Sequence, residues 1–302
     1  MRVALMIEGQ EDVTWDDWRA LAGACERHGI ETLFRSDHYL SVFGKSERGS
    51  LDAWATINAL AATTSTVRLG TLVSPATFRH AAELAKVVVT ADHVSGGRVE
   101  LGMGTGWLQA EHEAYGFPFP PLGDRMRLLE EQLQMVNSHW TEGLAQPKPV
   151  QRPRPNLIVG GRGGPRSIRM AARHADEYNT VNKTVAECVA IREQLDAACA
   201  GEGRDSIPLS LMVTWLAGED RAELLDRAGR LAEWQGRDGD GDSLLAELRE
   251  SSIAGTLEEN LERLGELAEA GVERVMLQHL LHRDLDSVEQ IGRDVAPAVA
   301  SL

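Results

Sequence analysis

Cysteine is scarce in this chain of 302 residues, which carries only Cys25, Cys188 and Cys199. Their separation matches no metal-ligand spacing, and each falls on the apolar side of a helix-like segment. Buried thiols in a reducing compartment are therefore expected, with neither a disulfide frame nor a zinc site. No apolar run reaches the length of a bilayer span. The opening MRVALMIEGQ lacks the charged and apolar regions of a secretory leader and runs straight into a strand. Positive charge is in deficit, since 31 Lys and Arg face 46 Asp and Glu, for a net charge of −15. Such a surface repels phosphate backbones and anionic lipid, which excludes nucleic acid and membrane as partners. Also missing are a Cys/His cluster, a paired-carboxylate pattern and a Walker-type loop, so metal, glycosidase and P-loop chemistry drop out. A cytoplasmic enzyme acting on a small-molecule substrate remains the expectation.

What the chain does contain is alternation. Short Val/Leu-rich runs are expected as strands at Val3 to Ile7, Thr32 to Phe34, Val67 to Val73, from Val99, Leu157 to Val159, Glu177 to Val181, Leu209 to Trp215, and Val272 to Gln278. Segments with apolar residues at helical spacing separate them, for example Met126, Leu129, Leu133, Val136 and Trp140. Eight strands alternating with helices predict a (β/α)8 TIM-type barrel, with residues 1–302 as one domain. The competing doubly wound sheet lacks its Gly-x-Gly-x-x-Gly fingerprint at the first strand–helix turn. The Gly/Asp-rich piece Gly236 to Asp242 is read as a mobile loop, and the polar stretch Leu40 to Ser50 as one long enough to cover a site.

In such barrels, chemistry collects where strands end. Here those ends are Glu8-Gly9, Asp37-His38, Ser74-Pro75, Gly104-Thr105-Gly106, Gly160-Gly161, Asn179, Trp215 and Gln278-His279, polar or glycine in every case but Trp215. His38 is the leading acid/base candidate, because imidazole titrates near neutrality and an acidic neighbour could orient it. A histidine satisfied structurally at a strand end is the competing reading. His279 is similarly placed, while His80 and His112 suit a helix start or the surface. Gly160 to Gly164 precedes a helix, so its backbone N–H groups suit either a phosphate cradle or a flexible turn. Gly102, Gly104 and Gly106 either let a flat ring approach the backbone or relieve crowding inside a barrel.

These residues resemble the luciferase-like flavin/deazaflavin oxidoreductase family. The motifs are Ser36-Asp37-His38-Tyr39, LAATTSTVRLGTLVSPATFRH (60–80), SGGRVELGMGTGW (95–107), Tyr115-Gly116-Phe117, PVQRPRPNLIVGGRGG (149–164) and AARHADEYN (171–179). They span nearly the whole chain in order and are most similar to the branch assigned to coenzyme F-420, a 5-deazaflavin, with FMN the alternative cofactor. The resemblance implies a bulge in the third strand with a non-prolyl cis peptide, expected at Val73-Ser74. It places Asp37, Ser74, Gly104, Thr105 and Gly106 against the ring and ribityl chain, and Gly160, Gly161, Gly163 and Gly164 toward the phosphate. His38 takes the place of the histidine beside the reactive face. A homodimer is implied, and for an FMN enzyme a partner reductase supplying reduced flavin. Two departures stand out. Sugar-phosphate dehydrogenases of the family carry Glu where this chain has Trp107, and the hairpin many relatives insert after the Trp140 helix is reduced to Thr141 to Lys148.

Overall fold

The computed structural model describes residues 1–237, 240–249 and 251–302. In chain order the first half comprises β1 (Arg2–Ile7), α1 (Trp15–His28), β2 (Thr32–Arg35), α2 (Ala53–Thr63), β3 (Arg68–Pro75), α3 (Ala81–Ser95), β4 (Val99–Gly104), α4 (Gln109–Tyr115) and α5 (Leu122–Thr141). The second half comprises β5 (Asn156–Gly160), α6 (Pro165–His174), β6 (Glu177–Val181), α7 (Val185–Gly201), β7 (Leu209–Gly218), α8 (Arg221–Gln235), α9 (Gly241–Leu248), β8 (Ile253–Thr256), α10 (Leu257–Glu269), β9 (Val272–Gln278), and α11 (Leu285–Gln290), which runs through one π turn into α12 (Ala296–Val299).

Strands β1 to β7 and β9 pair in parallel, and β9 returns to β1, closing an eight-stranded barrel with helices between the strands. The strand counted as eighth from sequence is therefore the ninth in the chain. Strand β8, which the sequence reading missed, pairs only with the outer end of β7 and stays outside the barrel. Its four residues are too few to show a period of two. Strand β7 likewise continues past Trp215 to Gly218.

Local signals set the helix ends. Thr14 and Asp17 form a reciprocal capping box, and Gly29 closes α1 in the left-handed conformation at φ 73°. Trp18, Leu21, Ala22 and Cys25 then fall on the buried face. Cys188 and Cys199 do the same on α7, so all three thiols are free and buried. Within the Gly236 to Asp242 segment, Asp238 and Gly239 lie outside the described residues. Asp240 caps α9, so its C-terminal part opens a helix. Among the described residues, no helix is long and apolar enough to cross a membrane.

Two apolar layers meet at the barrel wall. Outward residues pack under the helices, while Ala4, Met6, Phe34, Leu72, Ile158 and Met276 fill the barrel interior. Below that filling, at the N-terminal ends of the strands, the interior is ionic. Arg274 is fully buried and bonds Glu100 at 2.8 and 3.1 Å, Glu177 at 3.3 Å and Thr32 Oγ1 at 2.6 Å. Arg68 and Asn156 each reach Glu100 at 2.8 Å. These hydrogen bonds offset part of what burial costs, while Arg274 Nε and Glu177 Oε1 stay without a partner among the described residues. The layer plugs one end of the barrel and leaves the C-terminal end for chemistry.

Candidate functional site

The floor of that end is made by β3. Thr71 pairs with Leu101 and Ser74 with Met103, so Leu72 and Val73 together oppose the single residue Gly102 in a β-bulge. The non-prolyl cis peptide falls at Leu72-Val73, one bond earlier than expected. The bulge turns Val73 inward over its neighbours. A Cβ on Gly104 would stand 2.6 Å from Val73 Cγ2, and Cβ atoms on Gly102 and Gly160 would each stand 2.9 Å from Val73 Cγ1. Crowding relief thus explains Gly102, Gly104 and Gly160 without further appeal. Gly106 differs. It has φ 75° and turns the chain out of β4 past the Thr77 hydroxyl.

His38 forms one wall. Its Nδ1 lies 2.7 Å from Glu111 Oε1, while Glu111 Oε2 accepts the Tyr39 backbone N–H at 2.9 Å. Glu111 is wholly buried on α4, and the Trp107 ring meets His38 edge-on, with centroids 5.5 Å apart. Burial alone would lower the imidazole pKa, but the hydrogen bond and charge of Glu111, with Glu8 and Asp37 adding charge, raise it above the ordinary value. His112, expected at a helix start or the surface, is instead fully buried. Its Nε2 lies 2.7 Å from Thr77 Oγ1 and its Nδ1 2.8 Å from the Leu108 carbonyl, which anchors α4. His80 does sit at a helix start, capping α3.

Asp37 and Ser74 lie together beneath this wall. Ser74 Oγ donates to Asp37 Oδ2 at 2.6 Å and accepts from Trp54 Nε1 at 3.0 Å. Arg79 grips both Asp37 oxygens at 2.6 and 3.2 Å and reaches Asp52 at 2.7 Å. Both Asp37 and Ser74 are essentially inaccessible. Their side chains are therefore committed to this network. Facing them, Glu8 accepts from Gln10 Nε2 at 2.8 Å and Gln278 Nε2 at 2.5 Å, and Gln278 accepts from Thr214 at 2.8 Å. His279 points away from the mouth. Its Nε2 donates to the Asp284 carbonyl at 3.0 Å, and burial pushes its pKa down to about 4.

The loop from Leu40 to Ser50 is tied down. Glu11 accepts from Ser41 Oγ at 2.8 Å, Val42 N at 2.9 Å and Arg48 at 2.7 Å, and the Arg48 guanidinium lies 4.0 Å over the Trp234 ring. Across the barrel, Gly160 to Gly164 lead into α6. Gly163, at φ 83°, donates its N–H to Tyr178 Oη at 2.9 Å, and Gly164 opens the helix with no side chain capping the first amides. Arg162 and Arg166 are exposed beside it. Such an end can receive an anion.

The structure thus gathers His38, Asp37, Ser74, Gly104, Thr105 and Gly106 at one side of the mouth and Gly160, Gly161, Gly163 and Gly164 at the strand-β5 side. Asn179 sits deeper, bonding Ser210 Oγ at 3.1 Å. Among the described residues no group of His, Cys, Asp and Glu could hold a metal. Sequence reasoning missed Glu111 and Arg79, and it named Val73 and Glu8 only as part of the expected cis bond and of a strand end, without the roles they take here. Glu111 lies in a seven-residue helix too short to show a period, and Val73 reads as one more strand valine.

A sequence profile described as luciferase-like monooxygenase matches residues 1–277. An uncharacterized protein of Mycobacterium tuberculosis is 30% identical over 220 residues, covering 63% of this chain and 76% of its own. The FMNH2-dependent dimethylsulfone monooxygenase of Pseudomonas fluorescens is 26% identical over 344 residues, 99% of this chain and 91% of that one. The F-420-dependent glucose-6-phosphate dehydrogenase of Amycolatopsis mediterranei is 30% identical over 166 residues, 51% and 49% of the two chains. A solved F-420-dependent secondary alcohol dehydrogenase, in complex with an F-420-acetone adduct, superposes with a TM-score of 0.80 at 18% identity, covering 99% of this chain and 98% of its own.

Proposed function

This chain belongs to the luciferase-like monooxygenase family, and from that premise we propose that it is an oxidoreductase moving a hydride between coenzyme F-420 and a small organic substrate. The observation that carries the reading is His38, whose Nδ1 is held by a buried carboxylate at 2.7 Å while no protein group bonds Nε2 among the described residues. A titrating nitrogen left open at a barrel mouth is suited to moving one proton.

The residues present fit a flat cofactor with a phosphate-bearing tail. Gly104 gives its side-chain space to Val73, and Gly106, at φ 75° and partly exposed, carries the chain out of β4 with no side chain there. Of Asp37, Ser74, Gly104, Thr105 and Gly106, the partly exposed Thr105 and Gly106 would meet the ring and ribityl chain directly, with Asp37, Ser74 and Gly104 buried behind them. Gly160, Gly161, Gly163 and Gly164 would meet the phosphate at the amino end of α6. When bound, a deazaflavin supplies the two-electron step, and the protein orients, excludes water and holds the substrate proton at His38 Nε2. Trp107, at the place where sugar-phosphate dehydrogenases carry Glu, argues for another substrate class.

The second reading is an FMN-dependent monooxygenase receiving reduced flavin from a partner reductase. It is favoured by the dimethylsulfone monooxygenase, whose similarity runs over 99% of this chain. Fluorescence titration of the apoprotein with F-420 and with FMN separates the two. Tight FMN binding with no F-420 binding would overturn the first. Anaerobic oxidation of reduced F-420 by a carbonyl acceptor distinguishes turnover from mere binding, which is the third possibility.

A further inference from the structure

We propose that Glu111 is a positioning residue that decides which nitrogen of His38 carries the proton and so keeps Nε2 as the nitrogen presented to substrate. The inference rests on the reading of His38 as the proton-handling group, and it adds a residue and a mechanism to that reading.

The argument is one of donors and acceptors. An ionised carboxylate has only acceptors, and a backbone N–H can only donate. Glu111 Oε2 is occupied by Tyr39 N–H at 2.9 Å, and Oε1 lies 2.7 Å from His38 Nδ1. The short approach at Oε1 therefore requires a hydrogen on Nδ1. In the neutral ring the lone pair must then be on Nε2. No lysine or arginine pairs with Glu111 among the described residues, so His38 is its one ionisable partner there.

The carboxylate is also held in place. It sits one residue before His112, which is bonded on both ring nitrogens, so the α4 turn carrying Glu111 is fixed to Thr77 and Leu108. Trp107 packs edge-on against the His38 ring from the other end of the same segment. The charged groups facing His38 are Glu111 from α4, Glu8 from the end of β1 and Asp37 from its own strand end, the last neutralised by Arg79. Of these charged groups, only Glu111 bonds the ring among the described residues. The residue at 107 in this chain holds the ring sterically, while Glu111 sets its proton.

Glu111→Gln gives a sharp test. Tyr39 N–H still needs an acceptor, so the amide oxygen must turn to it and the amide NH2 must face Nδ1. Nδ1 then becomes an acceptor, and the proton of the neutral ring moves to Nε2. The side-chain nitrogen shifts of His38, assigned by their loss in His38→Asn, report the tautomer directly. The expected result is Nδ1–H in the parent, Nε2–H in Glu111→Gln, and Nδ1–H again in Glu111→Asp, which keeps the charge. The titration midpoint of His38 should also fall by about one pH unit in Glu111→Gln, as for loss of an adjacent opposite charge. A parent protein whose neutral His38 is already Nε2–H, or an unchanged tautomer in Glu111→Gln, overturns the proposal. The parent measurement decides even if a variant does not fold. F-420 and FMN titrations on the same proteins test the functional reading separately. If neither cofactor binds the parent, that reading fails while the tautomer result stands.

Discussion

Val73 occupies the space that a side chain on Gly104 would need, its Cγ2 lying 2.6 Å from the position of a Cβ there. The bulge that brings Val73 inward depends on the glycines that receive it, since a Cβ at any of them would collide with the Val73 side chain. Gly160, on the neighbouring strand, completes the same seat.

Gly104→Ala should therefore overpack the floor by about 1–3 kcal/mol, as added methyl groups do in filled interiors. Urea unfolding should show that loss, and cofactor titration should show weaker binding. Adding Val73→Ala should restore most of the stability. If Gly104→Ala alone matched the parent in both measurements, the steric pairing would be wrong.

Replacing His38 by Ala should lower turnover about 10²–10⁴-fold, the usual worth of a positioned general acid or base. Cofactor affinity should hardly change, because His38 is placed for the substrate proton. Steady-state kinetics and cofactor titration on the same preparation check this. Unchanged turnover on every accepted substrate would remove His38 from the mechanism.

Removing Glu100 should cost about 3–5 kcal/mol, since Arg274 would keep its charge in a dry interior with its best partner gone. Burial favours the neutral acid, but Arg274 and Arg68 outweigh it and hold the Glu100 pKa down to about 2. A depressed carboxyl pKa stabilises the fold above the ordinary value of 4.5, and that stabilisation disappears as pH falls through about 2. Guanidinium unfolding of Glu100→Ala at neutral pH measures the cost. A loss below about 1 kcal/mol would mean that Glu177 and Thr32, the other partners of Arg274, suffice without it.

His279 should make the protein acid-sensitive in a different window. Its folded pKa is about 4 against an ordinary 6.5, so below pH 6.5 the unfolded chain takes up a proton that the folded one refuses. Stability should fall from pH 6.5 down to about 4 and lose nothing further through this group below that. His279→Gln, which can still donate to the Asp284 carbonyl, should flatten the slope of unfolding free energy against pH in that interval. An equal slope in parent and variant would assign the acid sensitivity elsewhere.

The barrel was legible because its strands are short, Val/Leu-rich and regularly spaced by amphipathic helices. Glu177 to Val181 and Pro165 to His174 fall where the residues place them. The location of the mouth was legible too, since the strand ends change from apolar to polar or glycine. The pairings were not. Glu111 is 73 positions from His38, and Arg79 is 42 from Asp37. Only closure of the sheet brings them together, and no local pattern carries that distance. His112 was misjudged for the same reason, because its partners Thr77 and Leu108 satisfy it inside a short helix whose burial has no periodic signature. The cis bond was misplaced by one residue because a bulge has no fixed register with its neighbours.

The ionic layer around Arg274 has a consequence for traffic. A barrel stoppered at its lower end is a cup, and everything that enters must leave by the same rim. Of two molecules seated one above the other, the deeper must arrive first and depart last. Binding order in this protein would then be imposed by Arg274, Glu100 and Glu177, residues buried at the opposite end of the barrel from the mouth.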